Sequence, residues 1–370
     1  MCGRTSYVVG VVLGFWSTIC CVQASERESA ELKWLGQAVA VQIKNRGNFF
    51  ESGRIALEEQ IEEREFRILF WNVENFFDTF YDEGEEDGTF TPLGTMHWSK
   101  KRFIAKRNAI AKTIIGAGEG ALPVIIGLAE VEKRYVLSNL ISETPLSQIG
   151  YSIIHRDSPD RRGIDVALLY RKELFSPLES EFIRINFPDT TATTRDILYT
   201  KGVLDRKDTL HIFVNHWPSK FGGAIISEPR RRAASDALKY KCDSILEADT
   251  KAKIVAMGDF NDTPDAPTIT ALNNLVNVTY ELYKKGKGSI KYRGAWELID
   301  QILVSRNLLA QSGASQTLIS SGVSIYSPPY LLEKDGTYSG MKPKRTYIGP
   351  RYNGGVSDHL PVILKIYGWK

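Results

Sequence analysis

The stretch Ile254-Val255-Ala256-Met257-Gly258-Asp259-Phe260-Asn261-Asp262 joins an apolar run to a cluster of polar residues. The apolar run predicts a buried strand. If the chain stays extended beyond it, Asp259 and Asn261 point the same way and can together hold a water, a metal or a phosphoryl oxygen. The alternative is an Asx-type turn at the strand end, because Asn-Asp-Thr-Pro is also turn sequence.

The same kind of apolar run recurs on both sides of this stretch and predicts further buried strands. These runs are Ile68–Phe70, Pro123–Leu128, Val166–Tyr170, Leu210–Val214, Ile299–Val304 and Leu360–Ile366. Two segments have helical periodicity, Lys100–Ile115 and Pro229–Glu247, and we expect Pro229 in the first turn of the second helix. Many buried strands with few helices favour an α/β fold in which two packed sheets carry helices on the outside.

The N-terminus of the 370-residue chain is typical of an export signal. One positive charge, Arg4, precedes an apolar stretch that is short for a spanning helix, and Ala24 follows as a small residue for cleavage. We therefore expect a signal at 1–24, a partly helical extension at 25–64 and a single domain at 65–370, in a protein that is secreted or periplasmic. A membrane-anchored form is the alternative, with Cys20 or Cys21 carrying lipid.

Polar residues stand next to most of the predicted strands. They are Asn72, Glu74, Glu130, Glu132, His216, Asp259, Asn261, Asp300, Asp358 and His359. Charged groups beside a buried strand cost free energy unless they are paired or bind a metal, so the pattern predicts one polar cluster at one edge of the sheets. Carboxylate and amide oxygens are hard ligands, which favours Mg²⁺ or Mn²⁺ over zinc.

In this order, the motifs resemble the endonuclease/exonuclease/phosphatase superfamily from Phe66 to about Tyr367. The resemblance rests on Trp71-Asn72-Val73-Glu74, Gly127-Leu128-Ala129-Glu130, Asn215-His216-Trp217, Gly258-Asp259-Phe260-Asn261, Ile299-Asp300-Gln301 and Ser357-Asp358-His359-Leu360-Pro361. Flanking segments such as Arg162-Gly163-Ile164-Asp165 are similar to its secreted bacterial branch. The resemblance implies a four-layer α/β/β/α sandwich of two mainly antiparallel sheets with outer helices.

The resemblance also implies a role for each matching residue. Its metal ligands correspond to Asn72, Glu130 and Asp358, and its catalytic residues to His216, Asp259, Asn261, Asp300 and His359. In such a site Asp300 orients His359, and the general base is either Asp259 or this Asp300–His359 pair. Three side chains have open assignments: Glu132 competes with Glu130, Glu74 is a second acid or a solvent-facing loop residue, and Asp165 is a candidate support for His216.

The activity implied is Mg²⁺-dependent hydrolysis of a phosphoester by in-line attack of water. An exported endonuclease acting on nucleic acid is the first expectation, with no obligate protein partner evident. Arg162, Lys220 and Arg231 are the candidates for binding phosphates, and Trp217, Tyr347 and Tyr352 for stacking on bases. The alternatives are a small-molecule or lipid phosphodiesterase or phosphatase, in which Tyr326–Leu332 would touch a membrane, and an inactive binding module, against which the intact site residues argue.

Overall fold

The computed structural model of the chain describes residues 63–82, 88–187, 193–220, 222–309 and 318–369. The expected export signal lies outside these ranges, as does all of the expected extension except Glu63 and Arg64, which open the first strand. Among the helices of the described ranges, none is long and apolar enough to cross a membrane.

The described strands and helices carry the following bounds. The strands are β1 (Glu63–Phe76), β2 (Ile125–Val131), β3 (Tyr151–His155), β4 (Asp165–Arg171), β5 (Phe175–Ile183), β6 (Ile197–Leu204), β7 (Asp208–His216), β8 (Lys253–Asp259), β9 (Leu275–Asn277), β10 (Ile290–Tyr292), β11 (Ala295–Glu297), β12 (Asp300–Ser305), β13 (Leu318–Ile325), β14 (Leu332–Lys334), β15 (Met341–Pro343), β16 (Tyr347–Ile348), β17 (Arg351–Tyr352) and β18 (Val362–Trp369). The helices are α1 (Lys100–Ala117), α2 (Arg134–Ser142), α3 (Ala224–Ala248), α4 (Pro267–Thr270) and α5 (Tyr280–Lys284). Short 3₁₀ helices cover Gly88–Phe90, Pro145–Gln148, Arg306–Leu308 and Pro329–Leu331.

Two six-stranded sheets form the centre of the fold. The first has the order β13-β18-β1-β2-β4-β3 and the second β5-β6-β7-β8-β12-β9. Each contains one parallel pair, β1 with β2 and β7 with β8, and its other pairs are antiparallel. Two carboxyl ends of neighbouring strands therefore meet at one edge in each sheet, which is where polar side chains can gather.

Side chains that alternate along the strands divide the interior into three apolar layers. On β1, Ile68 and Phe70 face the second sheet, whereas Leu69 and Trp71 face α1 and α2. A third layer packs the far side of the second sheet against α3, through residues such as Leu238. The order of layers is helix, sheet, sheet, helix, and the expected α/β/β/α sandwich is confirmed.

The start of α3 differs from the prediction. The helix begins at Ala224, so Pro229 lies inside it instead of in its first turn. Gly222 and Gly223 precede the helix with φ of +82° and +116°. These left-handed values suit glycine and set the start of the helix five residues before the proline.

Candidate active site

The second sheet brings three of the predicted catalytic residues side by side. His216 ends β7, Asp259 ends the parallel neighbour β8, and Asp300 opens the antiparallel neighbour β12. In the strand register, Asp259 lies opposite both His216 and Asp300. The three side chains thus share one edge because the strands that carry them end, or begin, at the same level.

Asn72 connects the first sheet to this edge. Its amide Nδ2 donates to Asp259 Oδ2 at 3.0 Å and to Glu130 Oε1 at 3.3 Å. Its Oδ1 accepts from the backbone N–H of Glu74 at 2.9 Å. The amide nitrogen of Asn72, a donor, therefore orients the two carboxylates, while Oδ1 keeps a second lone pair, so the expected role of Asn72 as a metal ligand stays a prediction.

A bulge in β1 and β2 turns Glu130 toward Asn72. Glu74, Asn75 and Glu130 have φ of +50°, +50° and +61°, and the β1–β2 register shifts between Asn72 and Phe76. The backbone N–H of Asn75 donates to Glu130 Oε2 at 2.8 Å. Left-handed backbone at three non-glycine residues is strain that the surrounding structure must support.

The same bulge separates Glu132 from Glu130. The Glu132 side chain is buried and accepts from the backbone N–H of Asp78 at 2.7 Å, and burial raises its pKa to about 8. It joins none of the cleft carboxylates, so Glu130 is the glutamate that belongs to the site. A simple strand alternation would have put both glutamates on one face, and the positive φ of Glu130 breaks that alternation.

His359 and Asp300 form a buried pair. His359 Nδ1 lies 2.7 Å from Asp300 Oδ2, and His359 Nε2 lies 3.9 Å from both Asp259 Oδ2 and Asp358 Oδ1. Burial by itself lowers the pKa of His359, but the carboxylates of Asp300, Asp259 and Asp358 outweigh it and hold that pKa well above its usual value. The imidazole is therefore positively charged near neutral pH.

His216 has the opposite electrostatic setting. Burial lowers its pKa well below the ordinary value, and the positive charges of Arg195 and Arg162 lower it further. Its Nε2 faces Asp259 Oδ2 at 3.6 Å and Glu130 Oε1 at 4.0 Å, while its buried Nδ1 has no hydrogen-bond partner in the described part of the chain. His216 is thus a neutral imidazole beside a charged one.

The expected support of His216 by Asp165 is wrong. Asp165 Oδ2 lies 3.3 Å from His155 Nε2, and Asp165 Oδ1 accepts from the backbone N–H of Ser158 at 2.9 Å. Asp165 opens β4 opposite Val131, so its carboxylate is taken up within the first sheet.

The chain does not stay extended after β8 but forms the Asx-type turn that the sequence offered as the alternative. Asn261 has φ of +52°, and its backbone N–H donates to Asp259 Oδ1 at 3.0 Å. Asn261 Nδ2 donates to the carbonyl of Trp217 at 2.9 Å. Asp259 consequently uses one oxygen for the turn and presents the other to Asn72, and burial raises its pKa to about 7, with Asp300 adding to the effect.

Sequence reasoning missed two basic residues of the site, Arg345 and Lys106. Arg345 donates through Nε to Glu74 Oε1 at 3.2 Å and through Nη2 to Asp358 Oδ2 at 2.9 Å. Lys106 is buried on α1, and its Nζ donates to Thr346 Oγ1 at 2.6 Å and to the carbonyls of Val356 and Glu74. The lysine lay inside an ordinary amphipathic pattern and the arginine in a polar loop, so no local signal marked either.

These contacts also answer the open question about Glu74. Its side chain is buried, and it accepts from the backbone N–H of Thr346 at 2.7 Å in addition to Arg345. Burial raises its pKa to about 7, and the charge of Asp358 contributes. Glu74 is therefore an acid of the site and not a solvent-facing loop residue.

The three basic residues expected to bind phosphates differ in placement. Arg162 is half-exposed, with Nη2 3.0 Å from Asn75 Oδ1 and 3.9 Å from Glu130 Oε2. Lys220 is partly exposed, 3.6 Å from Asp262. Arg231 is 2% exposed, and its guanidinium donates to Asp262 and Ser227, so the prediction of a substrate contact at Arg231 is corrected to a structural ion pair. Trp217 is likewise buried, against Phe260, and cannot stack on a base.

The donor set fits a divalent metal ion. Carboxylate oxygens of Asp259 and Asp300 lie within 4.8 Å of each other, and Asp300 Oδ1 is a buried oxygen with no hydrogen-bond partner in the described ranges. A ring nitrogen of His359 lies within the same distance, but a charged imidazole is a hydrogen-bond donor and not a metal ligand. Glu130 and Asp358 add further carboxylates, each tied to this group through Asn72 or His359. Several carboxylates gathered at one buried edge are the environment that a divalent cation stabilises.

A family model described as the Endonuclease/Exonuclease/phosphatase family matches residues 67–367. The chain belongs to the endonuclease/exonuclease/phosphatase family. Members of this family are metal-dependent phosphoesterases, and the acids of the present site could hold such a metal. No curated protein matches the chain by sequence.

Solved structures of the endonuclease/exonuclease/phosphatase fold resemble this chain at low sequence identity. D. rerio TDP2 complexed with single strand DNA product has 15% identity and a TM-score of 0.51, covering 82% of this chain and 98% of that one. The human Nocturnin catalytic domain with bound sulfate anion has 17% identity and a TM-score of 0.51, covering 84% and 98%. A family protein from Bacteroides thetaiotaomicron has 12% identity and a TM-score of 0.51, covering 83% and 99%. At these identities the likeness is one of fold.

Proposed function

We propose that the protein is a Mg²⁺-dependent phosphodiesterase that is exported and cleaves nucleic acid. The observation that carries the hydrolytic part is the His359–Asp300 pair, 2.7 Å apart and buried, with Asp259 Oδ2 3.9 Å from the far ring nitrogen. A charged imidazole held rigidly beside a carboxylate is suited to a phosphoryl group and its attacking water.

The electrostatics favour Asp259 over the dyad as the general base. His359 is kept charged by three carboxylates and has no free lone pair to accept a proton in that state. Asp259 has a pKa of about 7 because it is buried, which suits proton abstraction near neutral pH. His359 then donates to a phosphoryl oxygen through Nε2, and neutral His216 supplies a second ring nitrogen on the other side of Asp259.

Glu130 and Asp358 are the residues proposed to hold Mg²⁺, with Asn72 orienting Glu130. When bound there, the cation supplies charge stabilisation to the phosphoryl oxygens and lowers the pKa of a bound water. Arg162 and Lys220 lie at the edge of the site with exposed ends and would bind the phosphates that flank the scissile one.

The first test is hydrolysis of bis(4-nitrophenyl) phosphate by the purified protein. We expect turnover with Mg²⁺, loss of turnover with excess chelator and recovery on adding Mg²⁺ back. His359→Ala should lower kcat by at least about a hundredfold with the fold retained. Folded wild-type protein that stays inactive with both Mg²⁺ and Mn²⁺ would reject the proposal and favour an inactive binding module.

A substrate panel then separates the enzymatic alternatives. Plasmid DNA, RNA, sphingomyelin and inositol phosphates are offered under the same conditions, and the proposal requires that DNA or RNA is cleaved fastest. The loop proposed for the lipid alternative packs inward, because Tyr326, Tyr330 and Leu332 contact the apolar layer between the first sheet and helices α1 and α2, and Leu331 is buried in that layer. Export is tested separately by sequencing the mature N-terminus, which we expect to begin after Ala24.

A further inference from the structure

A cavity of about 220 Å³ lies beside the site, against the bulge of β1. Three aromatic or apolar side chains line it, Phe90, Met96 and Tyr347, together with polar residues that include Glu74 and Arg345. Pockets for whole drug-sized ligands occupy roughly 300–1,000 Å³. This cavity is smaller and suits a single flat ring.

The polar end of the cavity adjoins the carboxylates that we assign to the metal. Arg345 and Glu74 form its inner wall, and Arg345 reaches from Glu74 Oε1 to Asp358 Oδ2. Asn75 also lines the cavity, and its backbone N–H holds Glu130. One lining residue therefore contacts each carboxylate that we assign to the metal, Arg345 through its side chain and Asn75 through its backbone.

The aromatic end of the cavity is held together before any ligand arrives. The Tyr347 hydroxyl donates to the carbonyl of Met96 at 2.8 Å, and Arg102 Nη1 donates to the same carbonyl at 2.7 Å. Phe90 packs edge-on against Tyr347, with ring centroids 6.1 Å apart and an interplanar angle of 89°. These contacts join the 88–98 segment to the 344–352 segment, so a ligand would meet preformed walls.

Arg345 has donors left for a ligand. Its side chain is 46% exposed, and its two hydrogen bonds within the described residues use Nε and Nη2. The remaining Nη1 group is a charged donor at the junction of cavity and cleft. A guanidinium that is anchored by two carboxylates and still half-exposed is suited to binding a phosphate oxygen.

We propose that this cavity binds an aromatic ring attached to the phosphoester, while Arg345 donates to the phosphate at the cavity mouth. The inference rests on the proposed phosphoesterase function and adds a substrate class to it, phosphoesters that carry a planar ring next to the scissile phosphorus. Phe90 and Met96 are partly exposed and supply the apolar surface on which such a ring packs, while the buried Tyr347 holds both in place.

The test measures binding by isothermal titration calorimetry with full-length protein in Mg²⁺, so that it does not depend on turnover. Phenyl phosphate and methyl phosphate carry the same phosphate and differ by the ring. We expect phenyl phosphate to bind about tenfold more tightly, as burial of one ring predicts. Equal affinities of the wild type for the two compounds would overturn the inference.

Four variants locate the effect. Met96→Trp fills the cavity and should abolish the preference for phenyl phosphate, whereas Leu93→Ala, in the same segment but 97% exposed, should keep it. Met96→Ala introduces no extra volume, so it serves as the second variant if Met96→Trp does not fold. It should weaken the binding of phenyl phosphate by about threefold and leave the binding of methyl phosphate unchanged. Arg345→Gln should weaken both compounds equally. An unchanged preference in the folded Met96 variants would place the ring elsewhere.

A second pair of probes identifies the source of the ring. Deoxythymidine 5′-phosphate is compared with deoxyribose 5-phosphate, and a preference for the first assigns the cavity to a nucleobase. A preference confined to phenyl phosphate assigns it to an aryl ester. If the protein prefers the ring-bearing compounds but shows no Mg²⁺-dependent hydrolysis, the proposed function is refuted and the ring-binding role of the cavity is supported. If it hydrolyses the phosphodiester but shows no ring preference, the proposed function stands and the ring-binding role is refuted.

Discussion

Replacing Asp300 by asparagine is the sharpest test of the site. Asp300 is fully buried, and its Oδ2 lies 2.7 Å from Nδ1 of the buried His359. Asparagine keeps the size of the side chain, removes its negative charge and replaces one acceptor oxygen by an NH2 donor. The backbone of His359 stays fixed in the variant, because its carbonyl accepts from Trp71 Nε1 at 2.9 Å and its N–H donates to Ser357 Oγ at 3.0 Å.

The magnitude follows from the kind of bond that is lost. A buried hydrogen bond to a charged group contributes about 1.5–3 kcal/mol. Because this bond supports the charged imidazole in the transition state, the loss should appear in kcat, as a decrease of about tenfold to a hundredfold. KM should change little, since neither Asp300 oxygen is exposed to substrate.

The assay is steady-state hydrolysis of bis(4-nitrophenyl) phosphate, with circular dichroism to check folding. Asp208→Asn is the matched control, because Asp208 is also a buried aspartate of the second sheet and pairs with Lys253 at the opposite end of β7 from His216. A folded Asp300→Asn variant with kcat within about twofold of the wild type would refute the reasoning. An equal loss in Asp208→Asn would mean that the effect is general to the sheet.

Three more predictions concern the site and the stability of the fold. Lys106→Met should lower the free energy of unfolding by about 2–4 kcal/mol in urea titrations, because it removes the buried donor to the backbone carbonyls of Glu74 and Val356 and to Thr346 Oγ1. An unchanged midpoint would contradict this. Glu130→Gln should weaken Mg²⁺ binding by at least about tenfold in calorimetry, whereas Glu173→Gln, on an exposed turn after β4, should not. Burial lowers the pKa of His211 below that of an unfolded histidine, so the unfolded state takes up the proton first and stability should fall as pH drops below about 6.5. His211→Gln should flatten that part of the pH–stability curve, and an identical slope in both proteins would rule out this assignment.

Most of the central strands were predictable because they are buried on both faces and carry unbroken apolar runs. The apolar runs Ile68–Phe70, Leu210–Val214 and Lys253–Met257 lie within β1, β7 and β8. Four strands at sheet edges were not predicted, β3, β5, β9 and β13, and most positions of β5 are exposed or partly exposed, so its sequence carries no long apolar run. The central strand β6 was also missed, because Thr200, Lys201 and Gly202 interrupt its apolar residues.

The sequence by itself determined which residues gather at the strand ends, because a polar group beside a buried strand is retained only where it has a partner. Asn72, Glu130, Asp259, Asp300 and His359 do share one cluster. Their roles as catalytic or metal-binding groups stay predictions until the variants are measured.

Only the tertiary structure decided how these side chains point and which basic residues accompany them. Positive φ at Glu74 and Glu130 separates Glu130 from Glu132 and buries Glu74, and such values follow from the β1–β2 bulge and not from residue type. Arg345 reaches the site from a loop near the C-terminus and Lys106 from helix α1, whereas the Arg231 side chain is buried against Asp262. Orientation and burial are set by contacts between distant segments, and those contacts exist only once the two sheets have packed together.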